Sequence, residues 1–179
     1  MKYIALLRGI NVGGNNIVSM FDLKNCFENA GFKNTTTYIN SGNVIFDSEE
    51  SDINNLSSYC KDILEKKFGF QIDLALINVH TLKEALDNVP EWWGDDPNSK
   101  HNAIFVIQPA TAEEIIADAG KIKPEYEQLY AYKEIIFWSA PLKTYSRTRW
   151  SKIVGTKAYK SITIRNENTT KKLLKLASL

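Results

Sequence analysis

The first 80 residues alternate between short apolar stretches and longer segments with apolar positions at helical spacing. Tyr3–Leu7 is an uninterrupted apolar run that Arg8 ends, a pattern typical of a strand buried on both faces. Ser19, a residue type favoured at helix N-termini, precedes a predicted helix that ends at Gly31. The other predicted elements are strands at 35–39 and 43–46, joined by a tight turn at Ser41-Gly42, a helix over 52–68 and a strand over 71–79.

These elements follow one another in the order β-α-β-β-α-β, which is the arrangement of a ferredoxin-like fold. The second half repeats the order more loosely, with helices over 81–88, 112–119 and 169–179, strands over 102–107 and 162–164, and a hairpin over 128–138. The sequence therefore predicts an α+β protein with a ferredoxin-like first half and a looser ferredoxin-like or related second half. We place the two subdomains at residues 1–80 and 81–179.

The predicted topology brings together two polar stretches that about thirty residues separate. In a βαββαβ sheet the strands lie in the spatial order 4-1-3-2, and neighbouring strands run antiparallel. The loop after the first strand, residues 8–18, and the turn at residues 40–43 therefore fall at the same edge of the sheet, which we call the rim. Its candidate ligand-binding residues are Arg8, Asn11, Gly13, Gly14, Asn16, Ser41 and Asn43.

The rim combines glycines, carboxamides, one arginine and the start of a predicted helix, a combination that suits an anion. Free N–H groups at a helix start attract anions by about 0.3–1 kcal/mol at an exposed site, and arginine and asparagine side chains supply directional hydrogen bonds. The spacing of Gly9, Gly13 and Gly14 matches neither GxxxxGK[ST] nor GxGxxG. The alternative is that glycine and asparagine only supply the positive φ angles of a long turn.

Both stretches of the rim carry a family resemblance. Residues 3–14 read YIALLRGINVGG and residues 37–46 read TYINSGNVIF, and both are similar to the bacterial family called domain of unknown function 1697. Residues 163–169, TIRNENT, resemble a T-x-R-N-W-N-T signature in which Glu167 replaces the tryptophan. The resemblance extends over essentially the whole chain and implies an α+β fold related to ferredoxin-like domains. It implies no activity, substrate or catalytic residue.

Positive charge is concentrated near the end of the chain. Residues 141–179 hold ten Lys or Arg and one Glu, a formal charge of +9, whereas the whole chain carries +1. The candidate basic patch is Arg147, Arg149, Lys152 and Arg165, and the aromatic residues Tyr145, Trp150 and Tyr159 are interspersed with its cations. Such a mixture suits single-stranded nucleic acid, because bases stack on aromatic rings and phosphates pair with cations. Two alternatives stay open: the segment folds onto the acidic surface of its own chain, and Trp150 is a core anchor.

The sequence gives little support for catalytic, metal or cofactor chemistry. His80 and His101 have no acid or nucleophile placed beside them, and no GxSxG or SxxK motif occurs. Cys26 and Cys60 fall on apolar helical stripes outside any CxxC motif, which favours buried thiols in a reducing compartment. No apolar run reaches the length of a signal-peptide core or a membrane span, so we expect a cytoplasmic location and no membrane partner. We also expect no cofactor and no metal.

Three functional hypotheses remain. The first is the binding of a phosphorylated or otherwise anionic ligand at the rim, either a small molecule such as a nucleotide or single-stranded nucleic acid. The second is an enzyme that acts on a small phosphorylated metabolite. The third is a protein–protein adaptor that uses an exposed Trp92-Trp93 loop. The sequence favours the first, and the other two are alternatives.

Overall fold

Two units with the same order of elements make up the protein. The computed structural model describes residues 1–179, the whole chain. The first unit comprises Met1–Leu82 and Leu173–Leu179, and the second comprises Lys83–Lys172. The division lies close to the predicted boundary after residue 80, but the last residues of the chain join the first unit.

The first unit contains a four-stranded antiparallel sheet. Its elements are β1 (Lys2–Leu7), α1 (Met20–Asn29), β2 (Lys33–Tyr38), β3 (Asn43–Asp47), α2 (Ile53–Phe68) and β4 (Leu74–Asn78), after which α3 (Val79–Asp87) begins. The strands lie in the order β2-β3-β1-β4, which is the predicted 4-1-3-2 order read from the other edge. The predicted α+β fold with a ferredoxin-like first half is therefore confirmed.

Local interactions explain where the helices of the first unit begin and end. The Ser19 hydroxyl accepts a hydrogen bond from the Asp22 N–H at 3.0 Å, so Ser19 is the predicted N-cap of α1. Asp52 caps α2 in the same way, and Gly69 ends α2 with a left-handed φ of 78°. Apolar side chains of α1 and α2 pack with those of β1, β3 and β4 in one buried core. Burying each large apolar side chain contributes about 1.5–3 kcal/mol relative to exposure.

The second unit repeats this architecture with one substitution. Its elements are β5 (Ser99–Val106), α4 (Ala112–Ala119), β6 (Gln128–Tyr132), β7 (Ile135–Pro141) and β8 (Ile162–Asn166), after which α5 (Glu167–Ala177) begins. The strand order β6-β7-β5-β8 is equivalent to that of the first unit, and all pairs are antiparallel. Where the first unit has α2, the chain forms three short 3-10 helices at Leu142–Arg147, Trp150–Gly155 and Lys157–Ser161. We call residues 142–161 the 3-10 segment.

The two sheets also share their register. Tyr3 on β1 pairs with Phe46 and Asn78. Asn102 on β5 pairs with Trp138 and Asn166. Asn102 therefore occupies the position in the second sheet that Tyr3 occupies in the first. The repeat lies in strand pairing rather than in residue type, which explains why no residue-level repeat is visible in the sequence.

Asparagine at the end of a strand starts the next helix in both units. The Asn78 Oδ1 accepts the His80 N–H at 2.8 Å, and the Asn166 Oδ1 accepts the Thr169 N–H at 2.8 Å. These bonds satisfy backbone donors of the first helical turn. As a result, α3 and α5 each begin two residues before the predicted starts at Thr81 and Thr169.

Candidate ligand-binding site

The structure places the two stretches of the rim side by side. The Asn11 Nδ2 donates to the Asn40 carbonyl oxygen at 2.9 Å, and the Leu7 N–H donates to the Gly42 carbonyl oxygen at 2.8 Å. A Cβ atom added to Gly42 would lie 2.5 Å from Ile10 Cδ1, so only glycine fits here without a shift. The prediction that residues 8–18 and 40–43 share one edge is therefore confirmed.

The carboxamides of the rim hydrogen-bond within the chain. Asn11 has a φ of 54°, its Oδ1 accepts the Val18 N–H at 2.8 Å, and its Nδ2 also donates to the Val18 carbonyl oxygen. The Asn16 Nδ2 donates to the Gly9 carbonyl oxygen at 3.1 Å. Asn43 is fully buried, and its Nδ2 donates to the Tyr38 carbonyl oxygen and, at 3.2 Å, to the Ser41 hydroxyl. These contacts match the alternative in which asparagine shapes a long turn.

Other predicted rim residues differ in their surroundings. Gly13 and Gly14 lie at an exposed tip, with φ angles of 58° and 79°, between Val12 and Asn15, which form an isolated antiparallel bridge. Arg8 is partly buried and has an interaction partner within the protein. Binding of a ligand at the rim stays a prediction, and few of its side-chain donors are available for one.

The predicted basic patch is smaller than the sequence indicates. Arg147, Arg149 and Lys152 are exposed. Arg165 is only 7% exposed, and its guanidinium donates to the Thr163 hydroxyl at 2.8 Å. Burial lowers the pKa of Arg165 to about 10. The placement of Arg165 in a surface patch is therefore corrected: β8 alternates its side chains between the two faces of the sheet, and Arg165 points to a buried face.

Acidic residues of the second unit hold the 3-10 segment through its backbone. Glu127 is 2% exposed, and its carboxylate accepts the N–H groups of Arg149 and Trp150 at 2.6 and 3.0 Å. The same carboxylate accepts the Trp138 indole N–H at 2.9 Å. The Asp118 carboxylate accepts the Ala158 N–H. Because these bonds use backbone groups, the lysines of the segment keep exposed side chains, namely Lys143, Lys152, Lys157 and Lys160.

A groove of about 330 Å³ opens between the 3-10 segment and the sheet. Its lining combines four polar, four apolar and four aromatic residues. They are Lys100, Asn102, Ser151 and Asn166, then Ile104, Ile153, Val154 and Ile164, and finally Trp138, Tyr145, Trp150 and Tyr159. No carboxylate is among these residues. The Lys100 ammonium lies 5.0 Å from the centre of the Tyr145 ring, a cation–π contact. We call this cavity the groove.

Trp150 is the anchor of the groove wall. It is 2% exposed, and its indole N–H donates to the Gly120 carbonyl oxygen at 3.0 Å. Trp150 is therefore a core anchor, which is one of the alternatives that the sequence left open. Tyr145 and Tyr159 are only partly buried, so they present rings to the groove.

A second cavity, of about 720 Å³, adjoins the groove, and we call it the cleft. It is lined by Gly94, Asp95, Asp96, Pro97, Ser99, Lys100, His101, Asn102, Leu142, Asn166, Glu167 and Asn168. Three carboxylates belong to this set, in contrast to the groove. Asp96 is committed to its own loop, where its carboxylate accepts the Ser99 hydroxyl at 2.6 Å and the Asn98 N–H at 2.8 Å. These hydrogen bonds lower the pKa of Asp96.

Neither histidine forms a catalytic arrangement with a reachable nucleophile. The His101 Nε2 lies 2.8 Å from the Asp96 carbonyl oxygen, so this nitrogen donates, and Nδ1 accepts from the Ser139 hydroxyl at 2.6 Å. Ser139 is 3% exposed and does not line the cleft. The pair therefore links β5 to β7 rather than facing a substrate. His80 is exposed.

Asn102 is the polar residue whose surroundings stand out. It is 8% exposed, and its side-chain carboxamide has no hydrogen-bond partner within the protein, although it lines both cavities. No atom of this carboxamide is among the fully enclosed polar atoms without a partner, so the carboxamide faces the solvent of the cavities. An unpaired carboxamide in a cavity wall is therefore a candidate contact for a ligand.

The remaining expectations concern tryptophans, thiols and membranes. Trp93 is 3% exposed, and its indole N–H donates to the Asn102 carbonyl oxygen at 3.0 Å, so the adaptor hypothesis lacks the exposed tryptophan pair it requires. Cys26 and Cys60 are free and buried, and burial raises the pKa of both thiols, that of Cys60 to about 12. Among the helices, none has the length and apolar character to cross a bilayer.

Several residues that build the cavities were not predicted from the sequence. Lys100, Asn102 and Glu127 fall in stretches without a motif, and Asn166 lies in the TIRNENT stretch, whose resemblance implied no role for it. One usable signal was the alternation of Lys100, Asn102 and Ile104 on β5, which places their side chains on the same face. Glu127 gave no signal, because its four N–H donors come from residues distant along the chain or from irregular backbone.

Comparison with known proteins supports the fold. A family model described as "Protein of unknown function (DUF1697)" matches residues 1–137. The solved structure of a conserved bacterial protein from Streptococcus pneumoniae is similar, with 30% sequence identity and a TM-score of 0.89 over 99% of this chain and 98% of that chain. Comparison with curated proteins gives no match.

Proposed function

We propose that this chain, which belongs to the DUF1697 family of proteins of unknown function, binds a small anionic ligand in the groove of the second unit. The ligand is of the nucleotide class and has a flat aromatic part. The observation that carries the proposal is the composition of the groove. One cavity of about 330 Å³ combines the Lys100 ammonium and four aromatic rings, and it contains no carboxylate. Ligand sites are typically apolar concavities of about 300–1,000 Å³ with a few placed polar groups.

Each part of the groove supports one part of such a ligand. Stacking of a base on an aromatic side chain contributes about 1–3 kcal/mol, and Tyr145 and Tyr159 are the partly buried rings in the groove wall. A hydrogen bond from the Lys100 ammonium to a phosphate contributes about 1.5–3 kcal/mol. Exposed Lys152 lies between the groove residues Ser151 and Ile153 in the chain, and exposed Lys160 follows Tyr159. The positive charge of both lysines raises the local concentration of anions.

The same proposal includes a cytoplasmic location, where nucleotides are abundant. Its support is the pair of free, buried thiols, which fits a reducing compartment better than an oxidising one. Anion binding at the rim is the less well supported version of the proposal, because Asn11, Asn16 and Asn43 already hydrogen-bond to backbone carbonyl oxygens of the chain.

Titration with AMP, adenosine and inorganic phosphate tests the proposal, with binding followed by calorimetry and by tryptophan fluorescence. We expect AMP to bind more tightly than adenosine or phosphate alone, because only AMP engages both the rings and Lys100. Lys100→Gln should weaken AMP binding about tenfold, which corresponds to about 1.4 kcal/mol, and leave adenosine binding nearly unchanged. Lys66→Gln, which alters an exposed lysine of the first unit, is the matched control and should change neither. Equal AMP affinity in the wild type and Lys100→Gln would refute the groove as the site.

A second arm separates a mononucleotide from single-stranded nucleic acid. An oligonucleotide that spans several phosphates loses affinity with salt in proportion to the phosphates it contacts, with a log–log slope of about −0.7 per phosphate. If the slope for the oligonucleotide is as shallow as the slope for AMP, the groove holds one nucleotide. Incubation of bound AMP and ADP with ³¹P NMR detection tests the enzyme alternative, since new phosphorus signals would reveal turnover.

A further inference from the structure

The groove and the cleft are two compartments joined by a shared wall. Lys100, Asn102 and Asn166 line both cavities, which have volumes of about 330 and 720 Å³. Asn102 and Asn166 are partners in the pairing of β5 with β8, so their side chains stand on the same face of the sheet. A ligand that fills the groove and extends past Lys100 would therefore enter the cleft.

Charge is separated between the two compartments. Asp95 and Glu167 supply carboxylates to the cleft, whereas the groove has none. Glu167 pairs with Lys171, while Asp95 is exposed in the loop before β5. Carboxylates accept hydrogen bonds from hydroxyl groups and repel phosphates. The cleft thus favours a neutral group rich in hydroxyls, and the phosphates remain at Lys100.

The shared wall has unused hydrogen-bonding capacity at the point where the two parts of a ligand would join. The carboxamide of Asn102 is more than nine-tenths buried and unpaired. The Asn166 Oδ1 accepts the Thr169 N–H, which fixes the orientation of this carboxamide and leaves its NH₂ group as a donor. Lys100 and both carboxamides can therefore donate to phosphate oxygens at the junction.

We infer that the ligand is a nucleoside diphosphate attached to a sugar. The base lies in the groove, the diphosphate contacts Lys100, Asn102 and Asn166, and the hydroxyls of the sugar face the carboxylates of the cleft. This inference rests on the proposed function and adds the second compartment to it. No bond is made or broken in the binding step.

Competition binding with ADP-ribose and UDP-glucose against ADP and UDP tests the second compartment. The sugar-bearing probe should bind at least tenfold more tightly than the matching diphosphate in one of the two pairs. Asp95→Asn should bring this ratio toward one, because a carboxamide is a weaker acceptor for hydroxyls than a carboxylate. Glu113→Gln alters an exposed carboxylate on α4 and should preserve the ratio. Thermal unfolding of each variant confirms that it is folded.

The outcomes distinguish the two proposals. If ADP and UDP bind in a Lys100-dependent manner but the attached sugar adds no affinity in either pair, the groove stands and the second compartment is refuted. The second compartment is also refuted if the attached sugar adds affinity but neither Asp95→Asn nor Asn102→Leu reduces that added affinity. If none of the four probes binds at low salt, the nucleotide proposal fails together with the inference.

Discussion

The two units have the same strand order and the same register, but they cover equivalent faces of their sheets differently. The first unit covers its sheet with two regular helices, and Tyr3 is buried near the start of β1. The second has α4 and the 3-10 segment, and the unpaired Asn102 stands where Tyr3 would be. The difference shows how a βαββαβ unit forms a cavity: one helix becomes irregular and one large ring becomes a short polar side chain.

The two coverings are also stabilised by different interactions. The second helix of the first unit is attached through its apolar stripe, in which Leu56 and Leu64 are fully or nearly fully buried. The 3-10 segment buries Trp150 and Ile153 in the core of its unit, and in addition its backbone donates hydrogen bonds to the Glu127 and Asp118 carboxylates. Hydrophobic contact tolerates small shifts, whereas a buried carboxylate that loses its geometry leaves several donors unpaired. The second covering should therefore be the more sensitive to a single substitution.

Glu127→Ala is expected to have the largest effect, because it removes the acceptor of four N–H groups in a buried site. We expect the free energy of unfolding to fall by about 3–4 kcal/mol. Chemical denaturation followed by circular dichroism measures the change. The exposed Glu125 offers a control on the same loop, and Glu125→Ala should alter stability by less than about 0.5 kcal/mol. A similar small effect for Glu127→Ala would mean that the 3-10 segment is held by other contacts.

Gly42→Ala tests the turn at the rim, which the second unit replaces by the shorter connection at Lys133 and Glu134. The added Cβ would lie 2.5 Å from Ile10 Cδ1 at a φ of 77°. We expect a loss of about 2–3 kcal/mol, of which the positive φ accounts for about 1 kcal/mol. Gly13→Ala has the positive φ but no atom within 4 Å, so it should show only the smaller cost in the same unfolding measurement.

The contribution of the clash is checked by relieving it. Ile10→Val removes the Cδ1 atom, and the double variant with Gly42→Ala should recover part of the lost stability. If Gly42→Ala costs no more than Gly13→Ala, the close approach of the loop to the turn is not tight in solution.

Cys60 provides a pH probe of the first unit, because the second unit contains no cysteine. Burial raises the pKa of its thiol to about 12, whereas an unfolded thiol ionises near pH 8.5. Above that pH the unfolded chain releases a proton that the folded protein retains, so stability falls by up to about 1.4 kcal/mol per pH unit. Denaturation of the wild type and of Cys60→Ala from pH 8 to 10 measures the slopes. Parallel slopes would show that the thiol is not protected in the folded state.

Sequence reasoning succeeded where the relevant interactions are local or follow from topology. The caps at Ser19 and Gly69 are local signals, and they delimit helices that were predicted closely. The meeting of residues 8–18 with residues 40–43 follows from strand order alone, although thirty residues separate them. The alternative in which asparagine shapes the loop could also be stated in advance, because Asn readily adopts positive φ.

The groove could not be predicted in the same way, because it depends on non-local contacts. The strand β5 was expected to begin at Asn102, since Ser99, Lys100 and His101 lack the apolar pattern of a buried strand. These three residues belong to the strand because they pair with residues 139–141 of β7, and they are polar where they border the cleft. In the sequence, Glu127 has the pattern of a surface residue and Arg165 that of a basic patch. The buried face that Arg165 occupies follows from the pairing of β8 with β5, which the sequence does not specify.

The matched register gives the positions of β1 from Tyr3 to Leu7 equivalents on β5 in the same molecule. Asn102→Tyr would therefore transplant the ring of one half into the other, and Tyr3→Asn would do the reverse, without any change in loop length or topology. With such an exchange, the effect on one unit can be compared with the effect on the other unit of the same protein, in identical solvent and at the same temperature.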